Sequence, residues 1–172
     1  MNHLPIATQY ALAARNGNLN KVKRLLAQGV NVNTRHDPDR TALALAAGSG
    51  HNHVVKHLIN KGATVNSRDY LGMTPLMRAC VEGKESVVRT LLDAGASINA
   101  QSQNGITPLA FAALWNHPRI TRLLLDRGAR VNLRNNQGRK AINRTKSNNV
   151  KFILMMPRGV VGFVARREVL GR

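Results

Sequence analysis

Apolar residues along this chain fall in short bursts at helical spacing, and the bursts come in pairs. Between Thr74 and Ile106 the first burst is Leu76, Ala79 and Cys80; the second is Val87, Val88, Leu91 and Leu92. Intervals of three and four residues place each set on one buried face of an α-helix. Thr74 is a good N-cap, and Pro75 suits the first helical position, where no N–H is needed. Gly83 ends the first helix by permitting a left-handed backbone, and Gly95 closes the second in the same way. Ala96 to Gly105 is polar and turn-rich, with Asn99, Asn104 and Gly105, and reads as a projecting hairpin. The segment is helix, turn, helix, hairpin.

This unit recurs every 33 residues. Thr41-Ala42-Leu43 returns as Thr74-Pro75-Leu76 and Thr107-Pro108-Leu109, then decays to Lys140-Ala141-Ile142. A glycine follows the second helix at Gly29, Gly62, Gly95 and Gly128, and an asparagine follows each glycine at Asn33, Asn66, Asn99 and Asn132. A fixed period of this length implies stacked units, none able to bury its apolar face alone. The units run about 8–40, 41–73, 74–106, 107–139 and 140–156. Ala46, Ala47, Val54, Val55, Leu58 and Ile59 supply the core of the second; Ala112, Ala113, Ile120, Leu123 and Leu124 supply that of the fourth. The first, starting near Thr8, keeps Ala13, Ala14, Val22, Leu25 and Leu26 but opens on Gln9-Tyr10. The last keeps Ala141, Ile142 and the run Phe152 to Met156. Atypical ends are expected of a solenoid, whose terminal units face water.

With this phase held four times, residues 5–156 resemble an ankyrin repeat domain. The resemblance implies an all-α solenoid of stacked helix-turn-helix units with projecting hairpin loops. Ankyrin units usually carry a histidine just after Thr-Pro-Leu. Here Ala44, Met77 and Ala110 stand there, which predicts some loss of stability and no change of fold.

The resemblance also implies a non-enzymatic scaffold or adaptor that binds a partner protein on its hairpin and concave face. Mapped onto that face, the first hairpin presents Arg35, Asp37 and Arg40, and the second Arg68, Tyr70, Leu71 and Met73. The third presents Gln101, Gln103 and Ile106, and the fourth Arg134 and Arg139. The first-helix ends add Val81 and Glu82, then Leu114 and Trp115 beside the later tips, with Phe111 one turn earlier as either patch or core. Trp115 is the only tryptophan and Tyr70 one of two tyrosines, and aromatics near arginines are the makeup of a binding hot spot. Packing of Trp115 over Ile106 or the last unit is the alternative.

Composition adjusts this picture in three ways. Hydrophobic content is 43% but aromatic content only 3%, which suits a core of Ala, Leu and Val between closely stacked helices. Net charge is +18, and from Arg119 onward there are 14 Lys/Arg against two acids. That field favours a partner with an acidic or mixed surface, or electrostatic binding of nucleic acid or anionic membrane through the basic C-terminal half. No row of stacking aromatics accompanies the charge, as single-strand binding would need. The single cysteine excludes an internal disulfide and points to a reducing, cytoplasmic setting, or a host cytosol or nucleus for a pathogen's protein. Cys80 stands in the place of a paired alanine, so burial is expected.

Other chemistry is sparse. His51, His53 and His57 lack the further ligands a zinc site needs. Nucleophile-elbow and phosphate-loop glycine patterns are both missing. No enzyme activity, metal, cofactor or small-molecule substrate is expected, and the capped solenoid should be a monomer. Val150 to Ala165 is interrupted by Lys151, Pro157 and Arg158 and is too short to span a bilayer. The basic, apolar tail 157–172 reads as a segment covering the last unit or as a docking peptide.

Overall fold

Helix pairs form where the apolar bursts place them in the computed structural model, which describes residues 4–36 and 39–156. The first unit supplies α1 (Ile6–Arg15) and α2 (Leu19–Ala27); the second supplies α3 (Ala42–Ser49) and α4 (Asn52–Asn60). Next come α5 (Pro75–Val81) with α6 (Glu85–Asp93), then α7 (Pro108–Leu114) with α8 (Pro118–Asp126). A 3-10 turn, Ala141–Arg144, and α9 (Asn148–Met155) end the stack. First helices pack in one row, α1 on α3 on α5 on α7 on the 3-10 turn, and second helices form the row behind. The first hairpin is pinned by a short antiparallel ribbon of β1 (Arg35–His36) and β2 (Arg40–Thr41), pairing Arg35 with Thr41. The fold is the all-α solenoid. Asp37 and the tail 157–172 lie outside the described residues.

Helix starts follow from the threonines. Thr41, Thr74 and Thr107 are buried, and their hydroxyls accept from the N–H groups of Ala44, Met77 and Ala110 at 3.3, 3.3 and 3.2 Å. These bonds satisfy donors that a helix leaves orphaned in its first turn. In the third unit the Met77 sulfur also accepts from the Thr74 N–H at 3.4 Å, a weak substitute for the absent histidine. The first unit lacks such a cap: α1 begins after Pro5, two residues before the expected start at Thr8.

Small residues let the rows approach closely. Ala46, Ala47, Ala79, Ala112 and Ala113 are fully buried, as are Val54, Val55, Val87, Val88 and Leu91. Cys80 is buried among them, and desolvation pushes its thiol far up, which makes it inert. Tyr10 seals the first unit by donating its hydroxyl to the Val32 carbonyl at 3.3 Å; burial pushes its phenol up to about 12. The last unit is only half a core element. Val150 and Leu154 of α9 turn inward, whereas Phe152 and Met155 stay exposed.

The asparagine after each second helix joins one unit to the next. Asn33 Oδ1 accepts from the Thr64 N–H at 2.8 Å, Asn66 from Ser97 at 2.8 Å and Asn99 from Arg130 at 2.8 Å. Asn33 and Asn66 also donate to the Gly62 and Gly95 carbonyls at 3.4 and 3.3 Å. Asn132 has a different partner, the Lys140 ammonium at 3.3 Å. Replacing Asn66 by Ala should therefore cost about 1–2 kcal/mol in urea unfolding, two net hydrogen bonds' worth. Asn132→Ala, which loses one exposed contact, should cost less than about 1 kcal/mol.

Candidate partner-binding face

The hairpins are held by the residues at their bases. Arg35 donates to the Asp39 carbonyl at 3.1 Å, closing its own hairpin, and to the Arg68 carbonyl of the next at 2.8 Å. Arg68 does the same toward Gly72 (3.2 Å) and Gln101 (2.6 Å), and Gln101 toward Gly105 (2.9 Å) and Arg134 (3.0 Å). Arg134 closes the last hairpin on Gly138 at 2.7 Å. Arg35 and Arg68 thus use their guanidinium groups to hold one hairpin to the next, and Arg134 uses its own to close the last hairpin. Adjacent hairpins touch: the Gln103 N–H donates to the Leu71 carbonyl at 3.0 Å. At Gly72, where φ is +69°, an added Cβ would lie 2.8 Å from that nitrogen, so only glycine fits.

Asp69 decides what the second hairpin shows. Its buried carboxylate accepts from the Leu71 and Met73 N–H groups at 3.0 and 2.9 Å and is paired with Arg78 of α5. This turn leaves Tyr70 and Leu71 at the tip, 52% and 38% exposed, and swings Met73 into the core. Met73 is therefore not a surface residue, contrary to its position in the hairpin. Ile106 is buried for the same reason, since each directly precedes a capping threonine and enters the stack with it. Phe111 is core, buried where α7 faces its neighbours, and does not extend a patch. Gln103 and Arg139 are exposed, Arg40 is half-buried, and Val81 and Glu82 lie half-buried and exposed at the end of α5.

Leu114 and Trp115 sit at the far end of α7, with Trp115 as its C-cap and 55% exposed. Asn116 follows with φ +57°, taking the left-handed place that Gly17, Gly50 and Gly83 fill in earlier units. The hairpin tips lie at the other end of the first-helix row, since each hairpin feeds a helix N-terminus. A seven-residue helix is about 10 Å long. Trp115 is therefore not beside the tips: Tyr70–Leu71 and Leu114–Trp115 border the row on opposite sides.

The histidines bind units together. His53 Nε2 lies 3.0 Å from the Gly17 carbonyl, and His117 Nε2 lies 3.0 Å from that of Val81. The His51 ring fills the space over Gly17, where a Cβ would come within 2.5 Å of it. Among the described residues no group of three His, Cys, Asp or Glu could hold a metal. No described helix is long and apolar enough to cross a membrane.

The register that gives Val81 and Leu114 gives Arg15 and Gly48 in the earlier units, and the next register gives Ser49 before Glu82 and Trp115. Of these, Arg15, Gly48, Ser49 and Glu82, with Arg78 and Lys84, line a groove along α3.

Family models described as ankyrin repeats (3 copies) and ankyrin repeats (many copies) match residues 11–102 and 91–144. No curated protein matches the chain at a significant level.

His57 gives the stack a pH dependence. Its Nε2 is shielded without a partner, and desolvation, then Lys23 and Lys61, hold its pKa below the ordinary value of 6.5. A depressed pKa favours the neutral ring in the fold, so this stabilisation is full above 6.5 and fades as pH falls through the folded value. The fall in Tm between pH 7.5 and about 5.5 should accordingly be smaller in His57→Gln than in the parent.

Proposed function

The chain belongs to the ankyrin-repeat family, and we propose that it is a non-enzymatic scaffold or adaptor acting in the cytoplasm as a monomer. Ankyrin repeats generally mediate protein–protein interaction. The partner lies across the first-helix row and is anchored at its two borders by Leu114–Trp115 and Tyr70–Leu71. The observation that carries this reading is Trp115, the only tryptophan, held half exposed at the end of a capped helix. Trp and Tyr are the residues that most often dominate binding energy when a partner covers them.

Rigidity supports the same reading. Both borders rest on helices and hairpins fixed by inter-unit bonds, so docking freezes little backbone and most of the contact energy survives as affinity. The net charge of +18 favours a partner with an acidic or mixed surface and steers its approach.

Capture of a partner from lysate by the intact protein should fall at least about tenfold in a Tyr70→Ala/Trp115→Ala variant, the loss of a single hot spot or more. Helicity should be unchanged, because neither side chain is core. Capture that survives the double substitution, or that nuclease or high salt removes equally from both forms, would contradict the reading.

A further inference from the structure

The first-helix row is dented at its second unit. Where later units carry Val81-Glu82 and Leu114-Trp115, α3 carries Gly48-Ser49. The missing side chains leave a groove of about 440 Å³ along α3, floored by Ala44 and Leu45. Its lining holds four cations and one acid. Arg40 stands at the hairpin end, Arg15 and Lys84 at the turn end, Arg78 on the α5 side, and Glu82 is the acid.

These cations are not equivalent. Arg78 is neutralised by Asp69. Arg15, Arg40 and Lys84 make no ion pair among the described residues, and the Arg40 Nε is shielded from solvent while donating to no protein group. The Lys84 stem is already seated over the turn, since a Cβ at Gly50 would lie 2.9 Å from its Cδ. Positive charge thus waits at both ends of a slot one short helix long, about 12 Å for eight residues.

We infer that this groove receives a short acidic segment of the partner protein, one carboxylate meeting Arg40 and another meeting Arg15 and Lys84. The aliphatic stretch between the carboxylates lies on Leu45. The inference rests on the interaction reading above and names the chemistry of what docks. Nucleic acid fits the slot poorly: its lining contains no aromatic ring for a base to stack on, and its floor is apolar where successive phosphates would fall.

Gly48 offers a clean test. It is helical, outside the left-handed region, and an added Cβ would meet only the Arg78 Cβ at 3.8 Å, so the backbone accepts a side chain there and Gly48→Leu projects into the groove. Fluorescence anisotropy would follow a labelled peptide of two glutamates, two leucines and two glutamates. Its all-glutamine counterpart and labelled hexathymidine serve as comparisons. The acidic peptide should bind best; Gly48→Leu, by filling the groove, and Arg40→Gln/Lys84→Gln, by removing charge-assisted bonds, should each weaken it by about tenfold or more. Glu82→Gln should tighten it. Unchanged affinity in Gly48→Leu with helicity intact would overturn the inference, as would hexathymidine binding more tightly than the acidic peptide and being lost in the same variants. Partner capture separates the two readings. Capture lost in Tyr70→Ala/Trp115→Ala but kept in Gly48→Leu overturns the groove alone, and the converse overturns the anchors alone.

Discussion

Everything in this molecule depends on side chains that reach from one unit into the backbone of the next. The helices are seven to ten residues long, too short to persist alone in water. Apolar burial between rows drives the stacking, but burial is non-directional and would tolerate a slipped register. Two polar ladders remove that freedom. Asparagine amides link the loops behind the helices at separations of 31 residues, and Arg35, Arg68 and Gln101 link the hairpins at separations of 33. Each rung repeats the sequence period, so a slip by one residue would break all of them together.

That register turns a one-dimensional repeat into a surface. Equivalent positions line up in rows, and a row then reads as a series of substitutions on one theme. Where the rungs occupy a position, as at Arg68, variation is constrained by the carbonyl it must reach. Where they do not, the units diverge: Gly48, Val81 and Leu114 give the first-helix row a dent, a shoulder and a ridge. Those free positions set the chemistry of the face, with cations gathered around the dent and exposed aromatic side chains at the borders.

Much of this was legible in the chain because it is local. Threonine caps, left-handed glycines and paired apolar bursts act within a few residues, and their phase gives the stack. The periodic asparagine signalled a role without revealing that its partner lies in the following unit. Side-chain direction within the hairpins was not legible, because it hangs on Asp69 folding beneath the tip and drawing Met73 inward while Tyr70 and Leu71 stay out. The spacing marks Trp115 as a surface residue, but spacing alone does not say which end of a helix faces the tips. The groove is hard to read in sequence because it is made by what is missing: Gly48 and Ser49 carry no motif, and only their neighbours in register show that a side chain has been left out. His57 stands in the sequence only as one of three nearby histidines; its pH dependence comes from burial and from Lys23 of α2 and Lys61 at the end of its own helix.

The ladders are best judged by amide hydrogen exchange under native conditions. The N–H groups of Thr64, Ser97 and Arg130 lie in exposed loops, yet each donates to an asparagine one unit earlier. If the rungs hold the stack, these three amides open only when the units separate, and their protection should match that of buried amides such as Val88. Exchange at the rate of ordinary loop amides would mean that the units keep register by packing alone.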